Sequence, residues 1–174
     1  MNALRLDLGC GTKPKEGFLG VDIKSYGRSD LLIADLREPW KWEDESVDEA
    51  YSYHFLEHLT QLERCHFANE LYRVLKPGGF AEIIVPHWGS GRAYGDPTHR
   101  WPPISEEFFW YLAREWREQK AQHTCELLSC DFQIDWGVSL DEATQLRNQE
   151  YQQFATRYYR NAPSDIHSTW RKAG

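Results

Sequence analysis

The strongest constraint on the fold lies in the first half of the chain. Short apolar runs alternate there with turn signals and one helical stretch. Ala3–Leu8 (ALRLDL), Phe18–Ile23 (FLGVDI), Asp30–Ala34, Val47–Tyr53 (VDEAYSY) and Phe80–Val85 (FAEIIV) each read as a strand. Leu59–Leu75 has apolar residues at helical spacing and stops at Lys76-Pro77-Gly78-Gly79. Strands alternating with helices predict an α/β fold with a mostly parallel, Rossmann-like sheet and helices on both faces.

The second half is less regular. Pro86–Pro103 (PHWGSGRAYGDPTHRWPP) is long for a connection without structure, which marks it as functional or mobile. Ser105 is expected to cap a helix running to about Gln119, with Glu106 and Glu107 in its first turn. Glu126–Val138 holds one or two strands, and Asp141–Arg160 reads as a polar helix. We expect one domain over 1–174: a ligand-binding half at 4–86, an acceptor-side region at 87–162 and a loose tail at 163–174.

Ligands of open parallel sheets bind beyond the carboxyl ends of the strands. Gly9, Asp22, Asp35 and His54 sit at such ends. Gly9 and Gly11 in LDLGCGT let a ligand approach the backbone closely. An acid at Asp22, closing the next strand, can accept both hydroxyls of a ribose. Ribose recognition does not separate NAD from S-adenosylmethionine, but the connection does. Only Gly9–Gly17 separate the two strands, so at most one helical turn fits, and Pro14 stands where a third glycine would be. A pyrophosphate therefore has a poor seat, although Lys13 and Lys15 offer it charge.

The segments LDLGCGTKPKEGFLGVDI, IADL, SVDEAYSYHFLEHL and ELYRVLKPGGFAEIIVP, in this order over about Leu4–Pro86, resemble the class I S-adenosylmethionine-dependent methyltransferases, and most closely their compact members with a shortened first helix. The resemblance implies S-adenosylmethionine as cofactor. It implies that Asp7, Gly9, Cys10 and Gly11 line the cofactor, that Asp22 and Ile23 hold its ribose, that Asp35 and Leu36 meet its adenine, and that Tyr53 and His54 face it. The chain departs from the family in lacking the helix that usually precedes the first strand and covers the cofactor.

His54, Glu57 and His58 spell H-x-x-E-H, a zinc-binding signature. That signature needs one helix, so that both imidazoles share a face. Here a strand precedes His54, nothing specifies a third ligand from His87 or His99, and no metal is expected. Cys10, Cys65, Cys125 and Cys130 form no C-x-x-C and read as reduced thiols.

Methyl transfer is an in-line displacement in which the protein positions the acceptor and, for oxygen or nitrogen, supplies a base. The candidates are His99, His87 and Asp96, in the loop after the fifth strand; Asp96 is placed to orient His99 or to start a turn through Pro97. Trp88, Tyr94 and Trp101 are candidate walls of an acceptor pocket. The net charge of -7 disfavours a duplex nucleic acid. No DPPY or NPPY tetrapeptide and no Pro-Cys pair point to a methylated base. The expected acceptor is a small molecule or sugar-like metabolite. No apolar run suits a membrane and no leader is evident, so a cytoplasmic protein is expected. Two alternatives stay open: a methyltransferase-like binding module without catalysis, and an NAD-dependent oxidoreductase.

Overall fold

The computed structural model describes residues 3–173. Seven strands form one sheet: β1 Arg5–Leu8, β2 Leu19–Asp22, β3 Leu32–Ile33, β4 Val47–Tyr53, β5 Leu75–Pro86, β6 Phe132–Leu140 and β7 Pro163–Lys172. Their order is β3-β2-β1-β4-β5-β7-β6. β1 to β5 pair in parallel, while β7 runs antiparallel to both β5 and β6. The strand order reverses between β1 and β4, which places the ligand crevice at their carboxyl ends.

The helix between β4 and β5, α1, spans Gln61–Val74. Thr60 starts it with a reciprocal capping box to Glu63. The chain then passes directly into β5, whose first residues are the KPGG stretch. Phe67, Ala68, Leu71 and Val74 of α1 are fully buried with Leu6, Leu8, Ala50, Ala81, Ile83 and Trp170 of the sheet.

Three expectations change. The tail is not loose: residues 163–172 form β7, an internal strand, with Trp170 fully buried. His167, Thr169 and Arg171 alternate with the buried Ile166, Ser168 and Trp170 because both neighbours are strands and one face is open. The helix expected over 105–119 is two short ones, α3 Glu107–Trp110 and α4 Arg114–Lys120, after a one-turn α2 at Arg92–Gly95. Ser105 makes no cap; the N-cap position is Glu106, whose carboxylate turns elsewhere. The helix expected over 141–160 divides into α5 Glu142–Gln145 and α6 Gln149–Tyr158, with Asp141 and Asn148 each capping one piece through its side chain. Two capping residues inside one polar stretch end and restart the helix.

The helices do not cover both faces. Right-handed crossovers put the β1–β2 and β2–β3 connections on one side of the sheet and the β4–β5 and β5–β6 connections on the other. Among the described residues the first two connections carry turns only, so their face lacks helices. Along that face Arg5, Gln133, Asp135, His167 and Arg171 are exposed, and Glu49, Tyr51, Phe80, Glu82, Ile84 and Thr169 are half-buried. Arg5 pairs with Glu49 at 3.1 Å and Lys15 with Glu82 at 2.9 Å across it. No helix of the described residues is long and apolar enough to cross a membrane. The four cysteines are free.

Candidate functional site

The turn after β1 needs glycine twice, since Gly9 has φ of 74° and Gly11 of 57°. The amides of Gly9 and Cys10 donate to the Val21 carbonyl and draw the turn onto β2. Asp22 locks the arrangement. Its carboxylate accepts from the Gly11 amide at 2.9 Å and the Lys24 amide at 3.1 Å, and the residue lines the crevice.

Gly9, Asp22, Ile23, Asp35 and Leu36, all expected at the cofactor, line one cleft of about 210 Å³. Ala34, Arg37, Phe55, His58 and Leu59 complete its walls, and none of these five was foreseen. The Asp35 carboxyl accepts both the amide and the guanidinium of Arg37, which holds it below the usual carboxylate range. Phe55 lies directly on the glycine turn: a Cβ added at Gly9 would come within 2.3 Å of its ring.

The other expected cofactor residues lie outside this cleft. Asp7 points to the helix-free face, under the Pro14–Lys15 segment, and accepts the Lys15 amide at 2.7 Å. Burial raises its pKa, against the smaller lowering by that amide. The Lys15 ammonium is spent on Glu82 and on the Tyr51 ring, 3.9 Å from its centroid, so it offers no phosphate seat. Cys10 is half-buried, and burial beside Asp7 and Asp22 pushes its thiol up to about 11. Gly11 acts through its amide on Asp22 rather than as a wall.

Tyr53 and His54 stack on each other with ring centroids 4.1 Å apart at the end of β4. His54 has φ of 54°, a left-handed conformation costing on the order of 1–3 kcal/mol for a non-glycine residue. Its Nε2 lies 3.1 Å from Asp165, and Asp165 also accepts from Arg92 at 3.0 Å. Asp165 reaches the site because β7 pairs antiparallel with β5, placing it opposite Pro86. Burial lowers the His54 pKa, and Asp165 opposes this.

A 3-10 turn at Leu56–His58 brings two more groups to the crevice. His58 meets His99 edge to face, with centroids 4.8 Å apart. Glu57 is 4% exposed, and neither carboxylate oxygen makes a hydrogen bond of normal geometry. Burial raises its pKa to about 8, against smaller lowering by its own amide and by Arg64.

Of the expected catalytic residues, His99 and Asp96 reach this cluster. His99 Nε2 is 4.0 Å from Asp96, and its Nδ1 donates to the Ala93 carbonyl at 3.1 Å. His87 does not. It is fully buried, its Nε2 is 2.8 Å from Glu106 and its Nδ1 accepts the Gly89 amide, so both nitrogens are engaged. Trp88, Tyr94 and Trp101 do come together, in a depression of about 380 Å³ floored by Pro102 and Pro103. Sequence order alone could not find Asp165 or Arg92, whose partners lie 111 and 73 residues away.

A family described as "Methyltransferase domain" matches residues 6–83. A tRNA (carboxymethyluridine(34)-5-O)-methyltransferase of Arabidopsis thaliana is 33% identical over 118 residues, covering 59% of this chain and 28% of that protein. The chain thus spans little more than a quarter of the length of that curated relative. Among solved structures, a SAM-dependent methyltransferase of Archaeoglobus fulgidus superposes with a TM-score of 0.65 at 19% identity, covering 98% of this chain and 87% of the other. One from Methanosarcina mazei gives 0.62 at 17% identity, covering 99% and 93%. The sheet order and these likenesses give the chain the fold of the class I S-adenosylmethionine-dependent methyltransferases, and residues 6–83 match the methyltransferase-domain family.

Proposed function

We propose that the chain transfers the methyl group of S-adenosylmethionine to an oxygen or nitrogen of a small polar acceptor. The observation that carries this reading is one cleft joining the Gly9 turn, Asp22 and Asp35–Leu36, next to a cluster of imidazoles and carboxylates. In this reading Asp22 holds the ribose diol, the 34–36 segment frames the adenine, and the sulfonium points toward His58 and His99.

The acceptor's lone pair forms the new bond to carbon as the carbon–sulfur bond breaks. The electron pair of that bond returns to sulfur, and the acceptor's proton passes to a base. His99 suits that base: its Nδ1 proton is held by a carbonyl, which leaves Nε2 as the accepting nitrogen. Asp96 fixes the loop that carries it, through Thr98. His54, tied to Asp165, is its neighbour across the crevice.

A small acceptor suits the net charge of -7, which gives a polyanion no long-range attraction. A tRNA acceptor is the second reading, favoured by the Arabidopsis relative. Calorimetric titration of the purified chain with S-adenosylmethionine, S-adenosylhomocysteine and NAD tests the cofactor. Binding of the first two without NAD supports the proposal. Absence of both would favour a methyltransferase-like binding module, and binding of NAD alone would point to an oxidoreductase. Radiolabelled methyl transfer to extracted metabolites versus total tRNA then separates the two acceptor classes.

A further inference from the structure

We propose that Glu57, His58 and His99 form a binding site for one divalent transition-metal ion of the zinc type, on the wall of the cofactor cleft. One ligand atom from each of the three lies within 4.8 Å of the other two. Metal–ligand bonds of about 2.0–2.2 Å hold donor atoms at most about 4.4 Å apart, so small ring rotations close the set.

The hydrogen bonds around the imidazoles already present the right nitrogens. A carbonyl can only accept, so His99 Nδ1 carries its proton toward Ala93 and Nε2 keeps the lone pair. Thr98 Oγ1 lies 2.6 Å from Asp96 and 3.0 Å from His58 Nδ1. Its one proton goes to the carboxylate, so His58 Nδ1 donates to the hydroxyl oxygen and its Nε2 is also free. A metal-ligating histidine is ordinarily held this way, its second N–H given to a carbonyl or to a carboxylate-linked partner.

The second and independent observation is Glu57. Its side chain is 5% exposed, and both oxygens are buried without a hydrogen-bond partner. A buried carboxylate without partners is costly unless a proton or a cation satisfies it. The cationic groups nearby are committed elsewhere: Arg64 to the carbonyls of Leu56, Arg100 and Pro102, and Arg92 to Asp165, while His54 Nδ1 stands 3.8 Å from Glu57 Oε1, beyond hydrogen-bond distance. A cation beside the two lone-pair nitrogens meets the need directly. Two histidines and one carboxylate suit zinc, cobalt, iron or manganese rather than magnesium or calcium.

The H-x-x-E-H spelling thus contributes two of its three residues, and its first histidine is replaced. His54 leaves the helix path with left-handed backbone and turns to Asp165, while His99 comes from the loop after β5. Three protein ligands leave a coordination position open toward the cleft that His58 lines. An acceptor hydroxyl placed there would ionise more readily and lose its proton to solvent; with metal bound, His99 Nε2 is a ligand, and it serves as the base of the proposed methyl transfer only in the metal-free chain. The site itself does not depend on that reading.

The test is metal binding by the tag-free, metal-stripped chain in the absence of nucleoside. Cobalt(II) is followed by its visible absorption, and zinc and magnesium by calorimetry. We expect one equivalent of cobalt with absorption bands of a low-coordinate nitrogen/oxygen site, competition by zinc, and no saturable magnesium binding. Glu57→Gln, His58→Ala and His99→Ala should each weaken binding at least tenfold. Thr98→Val, which removes the hydroxyl that supports His58 and binds Asp96 in the loop carrying His99, should weaken it about 10–100-fold. His123→Ala, an exposed histidine elsewhere, should change nothing. The proposal falls if cobalt and zinc do not bind saturably, or if binding persists in both Glu57→Gln and His99→Ala. It also falls if alkylating the thiols or His123→Ala removes the binding. Because no S-adenosylmethionine is present, these outcomes are independent of whether the cofactor proposal holds.

Discussion

Asp22 does two things at once, and its replacement separates them. It ties the Gly11 and Lys24 amides together and presents an anion to the crevice. Asp22→Ala should weaken S-adenosylhomocysteine binding by about 1.5–3 kcal/mol, roughly 10- to 150-fold, for loss of charged hydrogen bonds to the ribose. Calorimetry reads this directly, and unchanged affinity would remove Asp22 from the site. Gly9→Ala is stopped twice, by φ of 74° and by Phe55. It should cost on the order of 1–3 kcal/mol of stability by denaturant titration. Adding Phe55→Ala should relieve the collision and leave the backbone strain, so the double variant recovers part of what its two losses would sum to. At this scale the sequence was legible where function is local. Gly9, Asp22 and Asp35 follow strands in order and are found by counting. Phe55, Asp165 and Arg37 were not, since a residue lying across a turn or on an antiparallel strand leaves no spacing signal.

At the scale of elements, β7 carries more than its place at the end of the chain suggests. PSDIHSTWRK looks polar because half of it faces the open side, while Ile166, Ser168 and Trp170 face the core. Deleting residues 163–174 would leave β6 without a partner, expose one edge of β5 and remove Trp170 from contact with Phe67 and Phe132. The truncated chain should lack cooperative thermal unfolding by circular dichroism; a cooperative transition near that of the full chain would overturn the assignment. The β3–β4 connection shows a different economy. In place of a helix it lays Trp40 on Phe67, at 5.3 Å between centroids, and clamps the loop through Glu70 and Arg73. Arg73 holds the Glu70 carboxyl below its usual range. A carboxyl with a depressed folded pKa gives stability that is present above about pH 4.5 and lost as pH falls through the folded value. Glu70→Gln should therefore be less stable than the parent at pH 7, and the gap should shrink as the pH falls toward 3. A gap that stays constant with pH would show that the ion pair contributes nothing to acid stability.

Over the described residues the sheet is protected by helices on one side. Parallel strands are ordinarily covered on both faces. Here the short β1–β2 and β2–β3 connections leave one face to cross-strand ion pairs and to Arg171 over Phe80. The order of elements predicted this sheet, but the expectation of helices on both faces took no account of connection lengths. Counting Gly9–Phe18 and Ile23–Leu31 already excludes a crossover helix of ordinary length in either. The cleft walls at Asp22–Arg37 carry no crossover helix, and a ligand bound there stabilises the folded chain by mass action. Ligand at a hundredfold excess over its Kd adds about 2.7 kcal/mol. For a domain of this size that corresponds to a rise in Tm of about 5–11 °C. S-adenosylhomocysteine at that concentration should produce such a rise in differential scanning fluorimetry. In Asp22→Ala, with affinity reduced about a hundredfold, the same concentration equals the Kd and the rise should shrink to about 1 °C. Equal shifts in the two proteins would place the nucleoside elsewhere on the sheet.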